Sequence, residues 1–450
     1  MQIRNGTDIA KRAMMAHMET IRTAGNNIAN VNTPGFSRQR FELTDSLSEG
    51  QDMLSTLSRR RVRDQYVDNH IRYESQTLGE WETKSQLYGQ IESVFFEPSE
   101  TGLNAVLSEF WNSWADLSND PNSAAARAVV VQQGTVAAGS IKHLDSQLKN
   151  LRTFADGHIG NNVTEINDIA VGIAQDNLNI VALEASGEEA SELRDHRDML
   201  LERLSRLTNT TVVERESGST AVMIGGRTIV DDAKVMALDT QKIPSGTMMV
   251  NDVIWADDGA SARISGGELA GLIDIRDNII PGVLQDLNTV AATLITEINN
   301  IHSTGYGSDG STGLDFFTGS DASDIAVSDQ LIADTSMVAT SGTGEPGDNS
   351  IALSIAELVD ATVAPGTRTI GVFYSNILEN LGAESRSATM MKENSEALLG
   401  FLEEQRENIA GVSLDEEAAD LVRFQHAYQS AAQFMSVINE VLDILLSIGR

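Results

Sequence analysis

Seven histidines (His17, His70, His143, His158, His196, His302 and His426) are the side chains best suited to bind a metal or move a proton near neutral pH. No two of them have the spacing that places a metal-binding pair on one helix face, so no metal site is predicted and all seven read as structural. Ser308-Asp309-Gly310-Ser311 lies in an acidic stretch that hints at calcium. It lacks the alternating Asp/Asn ligands and closing Glu of a calcium loop and reads as a turn. Arg59-Arg60-Arg61-Val62-Arg63 is the one dense basic run. It suits ion pairing across a domain or subunit boundary, with a solvated face as the plainer alternative. No phosphate loop, nucleophile elbow or dinucleotide fingerprint appears, and nothing places the paired carboxylates that a hydrolase of cell-wall polymer would need. No catalytic or cofactor-binding residues are predicted from these patterns.

The elements that carry these residues must be long and thin. The chain has 450 residues, of which 41% are hydrophobic, but its 12 Phe, 4 Trp and 6 Tyr are few for a thick aromatic core. Lys and Arg number 32 against 65 Asp and Glu, a net charge of -33 that repels nucleic acid and anionic membrane surfaces, so neither is expected as a partner. The absence of cysteine excludes disulfides, thiolate metal sites and cysteine nucleophiles. Charge is placed unevenly. Residues 1–40 hold six basic and two acidic side chains, +4, and residues 411–450 hold two basic and six acidic ones, -4. No N-terminal apolar run resembles a cleaved secretory signal, and no stretch approaches the ~18 consecutive apolar residues of a membrane span.

Both ends read as helices with an apolar seam. Met14, Met18, Ile21 and Ile28 follow 4-3 steps when Gly25 fills its slot, and this helix should stop before Pro34. Pro34-Gly35 predicts a type II turn. The amides Asn26, Asn27, Asn30 and Asn32 at the helix end serve either local capping or bonds to neighbouring chains. At the other end Phe424, Tyr428, Ala431, Met435, Ile438, Leu442 and Leu445 keep an unbroken 4-3 spacing. Ser413 and Glu416 form a capping box, and Gly411 before them is expected to end the preceding helix in a left-handed conformation. A seam of this length needs a partner: the N-terminal helix, a copy of itself or another protein. The opposite charge of the two ends favours pairing between the termini.

Between the ends, helical spacing runs from about residue 125 to 184, with possible breaks at Gly157 and Gly160. A turn at Ser186-Gly187 and a second helix over 188–207 predict an antiparallel bundle. From Thr210 the period changes to short β-type runs at 211–213, 221–224, 227–230 and 253–255, with Gly225-Gly226 as a hairpin turn. Helix returns from Gly266, and residues 303–349 read as a long ordered loop whose domain is left open.

Ala24-Gly25-Asn26-Asn27-Ile28-Ala29-Asn30-Val31-Asn32-Thr33-Pro34-Gly35, continued by Phe36-Ser37-Arg38-Gln39, resembles the N-terminal signature of bacterial flagellar axial proteins. Val412-Ser413-Leu414-Asp415-Glu416-Glu417-Ala418-Ala419-Asp420-Leu421-Val422-Arg423-Phe424-Gln425 resembles the closing signature of their hook-associated members. Interior stretches at 193–204, 266–277 and 301–317 agree, so the resemblance spans nearly the whole chain. It implies a structural subunit at the hook-filament junction that is not an enzyme, about eleven copies to a ring. The implied partners are further copies, the hook protein, a second hook-associated junction protein, and an export chaperone on the C-terminal helix. The implied location is extracellular, in the flagellum, reached through the flagellar type III apparatus without a cleaved signal. Residues and resemblance together predict a mainly α fold with a β-rich insertion and no second inserted domain. Residues 1–40 and 411–450 are expected to form a terminal coiled-coil domain, 41–208 and 263–410 an elongated helical-bundle domain, and 209–262 a small outer β domain. The expected assembly interface is Met14, Met18, Ile21, Asn26, Asn27, Ile28, Asn30 and Asn32 with Phe424, Tyr428, Met435, Ile438, Leu442 and Leu445.

Overall fold

The computed structural model describes residues 2–45, 55–96, 99, 102–185, 189–246 and 248–448. The chain begins as α1 (Gln2–Ala29), which ends ahead of Pro34 because proline constrains Thr33 and has no N–H to donate. The turn closes through the Phe36 N–H on the Thr33 carbonyl (3.2 Å), with Gly35 at φ +78°, a sign that type II geometry needs at that position. β1 (Gln39–Asp45) and β2 (Ser55–Arg61) then pair antiparallel, Gln39 opposite Arg61. This hairpin falls where the sequence predicts the helical domain. Arginines and short polar residues fill β2, leaving Leu57 as its one large apolar residue, so it carries no strand signal.

The body is helical: α2 (Gln65–Phe95), α3 (Leu103–Asn119), α4 (Ala124–Glu184) and α5 (Ser191–Leu207). α4 has 61 residues, about 90 Å of helix, and runs unbroken through Gly157 and Gly160, where breaks are predicted. Each glycine costs about 1 kcal/mol, less than the burial of Ile141, Leu148, Ile159, Ile166 and Ile173 along one stripe returns. The turn predicted at Ser186-Gly187 and the predicted helix start at Glu188 lie outside the described residues.

β3 (Thr210–Glu214), β4 (Thr220–Ile224), β5 (Arg227–Asp231) and β6 (Lys234–Val235) form an antiparallel meander, with Gly225 and Gly226 at φ +57° and +85° making the two-residue turn. A second hairpin, β7 (Leu238–Ser245) and β8 (Met248–Trp255), extends well beyond the predicted run at 253–255. Buried Asp156 of α4 anchors it, accepting from the Asn251 N–H (2.6 Å), Lys242 Nζ (3.0 Å) and Arg276 Nη1 (2.9 Å). Burial alone would push Asp156 up, but these donors hold its carboxyl below the ordinary range.

α6 (Gly267–Asp274), a π turn (Ile275–Ile279) and α7 (Ile280–His302) form a stretch long and apolar enough to cross a bilayer, though none is expected from sequence. Its Leu287, Val290, Leu294 and Ile298 are buried in the protein core. Residues 303–349 join that core. β9 (Phe317–Thr318), β10 (Ala326–Val327) and α8 (Asp329–Ala333) set Phe316 against Trp114 (ring centroids 5.3 Å apart), with Ile325, Leu331 and Val338 buried around them. α9 (Ser350–Ala356) leads to α10 (Ile370–Ala410), which runs antiparallel to α2 with Ser385 bonded to Glu92 (3.0 Å) and Thr389 to Ser85 (3.0 Å). α11 (Leu414–Ile448) returns alongside α1, antiparallel to it: the His17 and Phe424 rings lie 6.1 Å apart, and Gly6 faces Ile438. The molecule is thus mainly α, with paired terminal helices and a β-rich insertion.

One expected cap is different. Gly411 sits at φ -72°, not left-handed; it must be glycine because a Cβ there would stand 2.3 Å from the Glu407 carbonyl oxygen.

Candidate assembly surface and its joint to the body

α1 and α11 bury against each other through small and mixed residues. Ala10 and Ala24 are buried, and Met14, His17, Ile21 and Ile28 are half-buried, continuing the 4-3 steps. Met18 is 53% exposed and Gly25 has open space beyond it, so His17 and Ala24 occupy the slots that sequence assigned to them. Methionine outscores histidine and alanine as an apolar residue, which is why the spacing alone favours the wrong neighbour. On α11, Phe424, Tyr428, Met435, Ile438 and Leu442 are all half-buried, as the heptad predicts; the Leu445 side chain lies outside the described ones.

The Asn run divides. Asn30 bonds back to Asn26 (2.8 Å) within the helix, and Asn32 is exposed. Asn27 is buried and ties three elements together: its Nδ2 donates to the Gln39 carbonyl (2.9 Å) and to Glu417 Oε2 (3.0 Å), and its Oδ1 accepts from the Gln39 N–H (3.0 Å).

Sequence reasoning missed the centre of this joint, Arg38 with Glu417. Buried Arg38 donates from Nε to Glu417 Oε1 (2.7 Å) and from Nη1 to Glu416 Oε2 (2.9 Å). Its N–H bonds the Ala410 carbonyl (3.0 Å) and its carbonyl accepts from Val62 (2.8 Å). Glu416 therefore faces Arg38, while Ser413 caps only loosely, its Oγ 3.5 Å from the Glu416 N–H. The signal was present: both residues lie inside the two terminal motifs, 379 positions apart.

A second tier fixes the joint to α5. Ser37 donates to Asp195 from Oγ (2.7 Å) and from N (3.1 Å). Arg61 donates to Asp195 and Asp198 (2.8 Å each), and Arg63 to Asp198 (2.7 Å). The dense basic run is thus paired inside the chain at these two positions. A Cβ on Gly35 would lie 2.7 Å from Met199 Cγ and Sδ, so the turn packs on α5 only as glycine. Burial alone would raise Asp198, but Arg63 and Arg61 outweigh it and hold the carboxyl below its ordinary range. Burial pushes Asp68 and Glu202 up, although Arg63 and Arg406 partly offset it. Such groups hold segments in place. His302 is buried between the Leu314 carbonyl (2.7 Å from Nδ1) and the Ala339 N–H (3.0 Å from Nε2), a structural role, and no His, Asp or Glu grouping among the described residues could hold a metal.

The chain was compared with known proteins. Residues 88–317 match the model of the flagellar hook-associated protein FlgK helical domain. Residues 8–36 match the flagella basal body rod protein family, and 403–448 the flagellar basal body rod FlgEFG protein C-terminal family. The chain is 28% identical to flagellar hook-associated protein 1 of Bacillus subtilis (98% of this chain, 97% of that protein). It is 22% identical to the protein of that name from Salmonella typhimurium, over 98% of this chain and 99% of the other. The flagellar hook junction protein FlgK from Burkholderia pseudomallei shares the fold, with a TM-score of 0.66 and 13% identity over 76% of this chain and 100% of that one.

Proposed function

Since the chain belongs to the flagellar hook-associated protein FlgK family, we propose that it is the structural subunit that joins hook to filament in a bacterial flagellum. Residues 1–40 and 411–450 are its assembling domain, 41–208 and 263–410 its elongated body, and 209–262 its outer β insertion. The observation that carries this reading is a second apolar stripe on the terminal pair. Besides the seam, Phe434, Val437, Val441 and Ile444 follow 3-4-3 spacing on α11 and remain exposed, as do Ile9, Met15 and Met18 on α1. Apolar stripes of this length on a two-helix arm are covered by further helices.

In the assembled state those helices belong to the hook protein below, a second hook-associated protein above, and copies of this chain alongside in a ring of about eleven. Before assembly an export chaperone covers the C-terminal stripe, and the chain passes through the flagellar type III apparatus with its N-terminus uncleaved. It acts by packing, not by catalysis.

The test is complementation of a motile bacterium that lacks its own copy. The full chain restores filaments; a chain ending at residue 412 leaves the melt of the body nearly unchanged but attaches no filament. Filaments on cells carrying only the truncated chain would sink the reading.

A further inference from the structure

The longest helix presents a face unlike the rest of this protein. Over the 61 residues of α4, Asp168 is the only charged residue among the exposed positions. The exposed face instead carries Val129, Val136, Gln147, Phe154, Val171 and Leu178, together with neutral polar residues and the two histidines His143 and His158. Charges at its margins are half-buried, and most are paired inside the chain: Lys149 with Asp145 (2.7 Å), Glu165 with Arg203 (2.8 Å) and Glu184 with Arg194 (2.6 Å). In a chain of net charge -33, a solvent-facing helix about 90 Å long would ordinarily be studded with Asp and Glu.

A second observation points the same way. Gly139 and Gly157 lie on this face with nothing within 4 Å of where a Cβ would stand. An exposed glycine inside a helix costs about 0.5–1 kcal/mol relative to alanine, and no contact within the chain requires either one. Close approach by another backbone does require such residues.

A matching face lies across the bundle. On α10, Met391, Asn394, Leu398, Phe401, Gln405 and Asn408 follow unbroken 3-4 steps, all exposed and uncharged, while Glu393, Glu396, Glu403, Glu404 and Glu407 occupy other positions around the helix. α2 and α7 each touch both α4 and α10 and stand between them.

We propose that the uncharged face of α4 packs laterally against the uncharged stripe of α10 on the next copy of this chain. Two copies carrying -33 each repel wherever their acidic surfaces meet, so the faces stripped of charge are where they approach most cheaply. Different surfaces at opposite edges make a head-to-tail contact, which repeats from copy to copy instead of stopping at a pair and gives a ring where its rotation closes. The proposal rests on the junction reading in assuming that copies stand side by side.

Because the chain has no cysteine, introduced thiols report cleanly. Gln147→Cys, Asn394→Cys and, on the β insertion, Asp257→Cys are placed singly in the full chain, and maleimide labelling is compared between purified monomer and filament-bearing cells. The expected result is severalfold slower labelling at both Gln147→Cys and Asn394→Cys on assembly, with Asp257→Cys unchanged. A second measurement uses Val136→Glu with Gln147→Glu. The expected result is lost filament attachment with an unchanged thermal melt of the monomer. If either face labels at the monomer rate on cells that bear filaments, or if the double glutamate variant attaches filaments normally, the lateral contact is overturned while the junction reading stands. Failure of the unmodified chain to restore filaments would instead remove the junction reading itself.

Discussion

At the joint, one buried guanidinium bridges two neighbouring carboxylates. Arg38 between Glu416 and Glu417, with Asn27 completing Glu417, makes each partner depend on the others, because a buried polar group left without its bond costs about 1–3 kcal/mol. Asn27→Ala strands Glu417 Oε2 and both backbone groups of Gln39. Hydrogen exchange should quicken at residues 30–38 and 411–413 by a factor that corresponds to about 2 kcal/mol, with α4 unaffected. Equal protection in the variant would show that the amide adds nothing. Gly35→Ala combines a left-handed backbone with an overlap on Met199, and should cost about 1–3 kcal/mol in a denaturant melt. Asp198 makes a pH prediction whose sign follows from its lowered pKa: its contribution is full above the ordinary carboxylate pKa of about 3.9 and is lost as pH falls through the lower folded value. Asp198→Asn should therefore destabilise by about 3 kcal/mol at pH 7, since it leaves Arg61 and Arg63 short of a buried partner. The gap between variant and parent melting temperatures should shrink only below about pH 4. A gap that closes between pH 7 and 5 would contradict the assignment.

Elements were legible in proportion to how regularly their burial repeats. α11 and most of α4 could be read from spacing alone, because each buries one continuous stripe, as could the Gly225-Gly226 turn, whose φ values few residues but glycine adopt. The β1–β2 hairpin could not, since it is held by backbone pairing and by arginines that find their carboxylates on α5, far along the chain. The place of residues 303–349 was hidden for a related reason: Phe316 and Phe317 pack on Phe110 of α3, from more than two hundred residues earlier. The same limit holds at the seam, where His17 is half-buried because its ring meets Phe424 of α11 and not because of its own hydrophobicity. Of the candidate site, the half-buried positions of α11 from Phe424 to Leu442 follow the spacing read from the sequence. The ion pair between the motifs needed three dimensions. One consequence belongs to α4 as an element. Gly139→Ala with Gly157→Ala should raise the stability of the free chain by about 1–2 kcal/mol in all, because alanine is the better helix former and both sites are open. An unchanged or lower denaturation midpoint would mean that these glycines already serve a contact within the chain.

For the whole molecule, the distribution of charge governs when copies can meet. The first 40 residues carry +4 and the last 40 carry -4, so these cancel and the remaining 370 carry the whole -33. Pairing α1 with α11 makes the arm neutral overall, while the body and β insertion hold the entire net charge. Free copies are thereby kept apart at low ionic strength, when the field of each body extends about 30 Å at 0.01 M salt. At about 0.15 M the screening length falls to roughly 8 Å, short enough for neutral arms and the uncharged edges of the body to touch before the acidic surfaces do. Self-association of the purified full chain, followed by light scattering or sedimentation, should therefore increase as salt rises from 0.01 to 0.15 M, mainly through a faster association rate. The opposite trend, complexes that dissolve as salt is added, would mean that attraction between the +4 and -4 ends of different copies drives assembly. Those ends would then pair between chains and not within one, and the antiparallel α1–α11 arm would be the wrong unit of assembly.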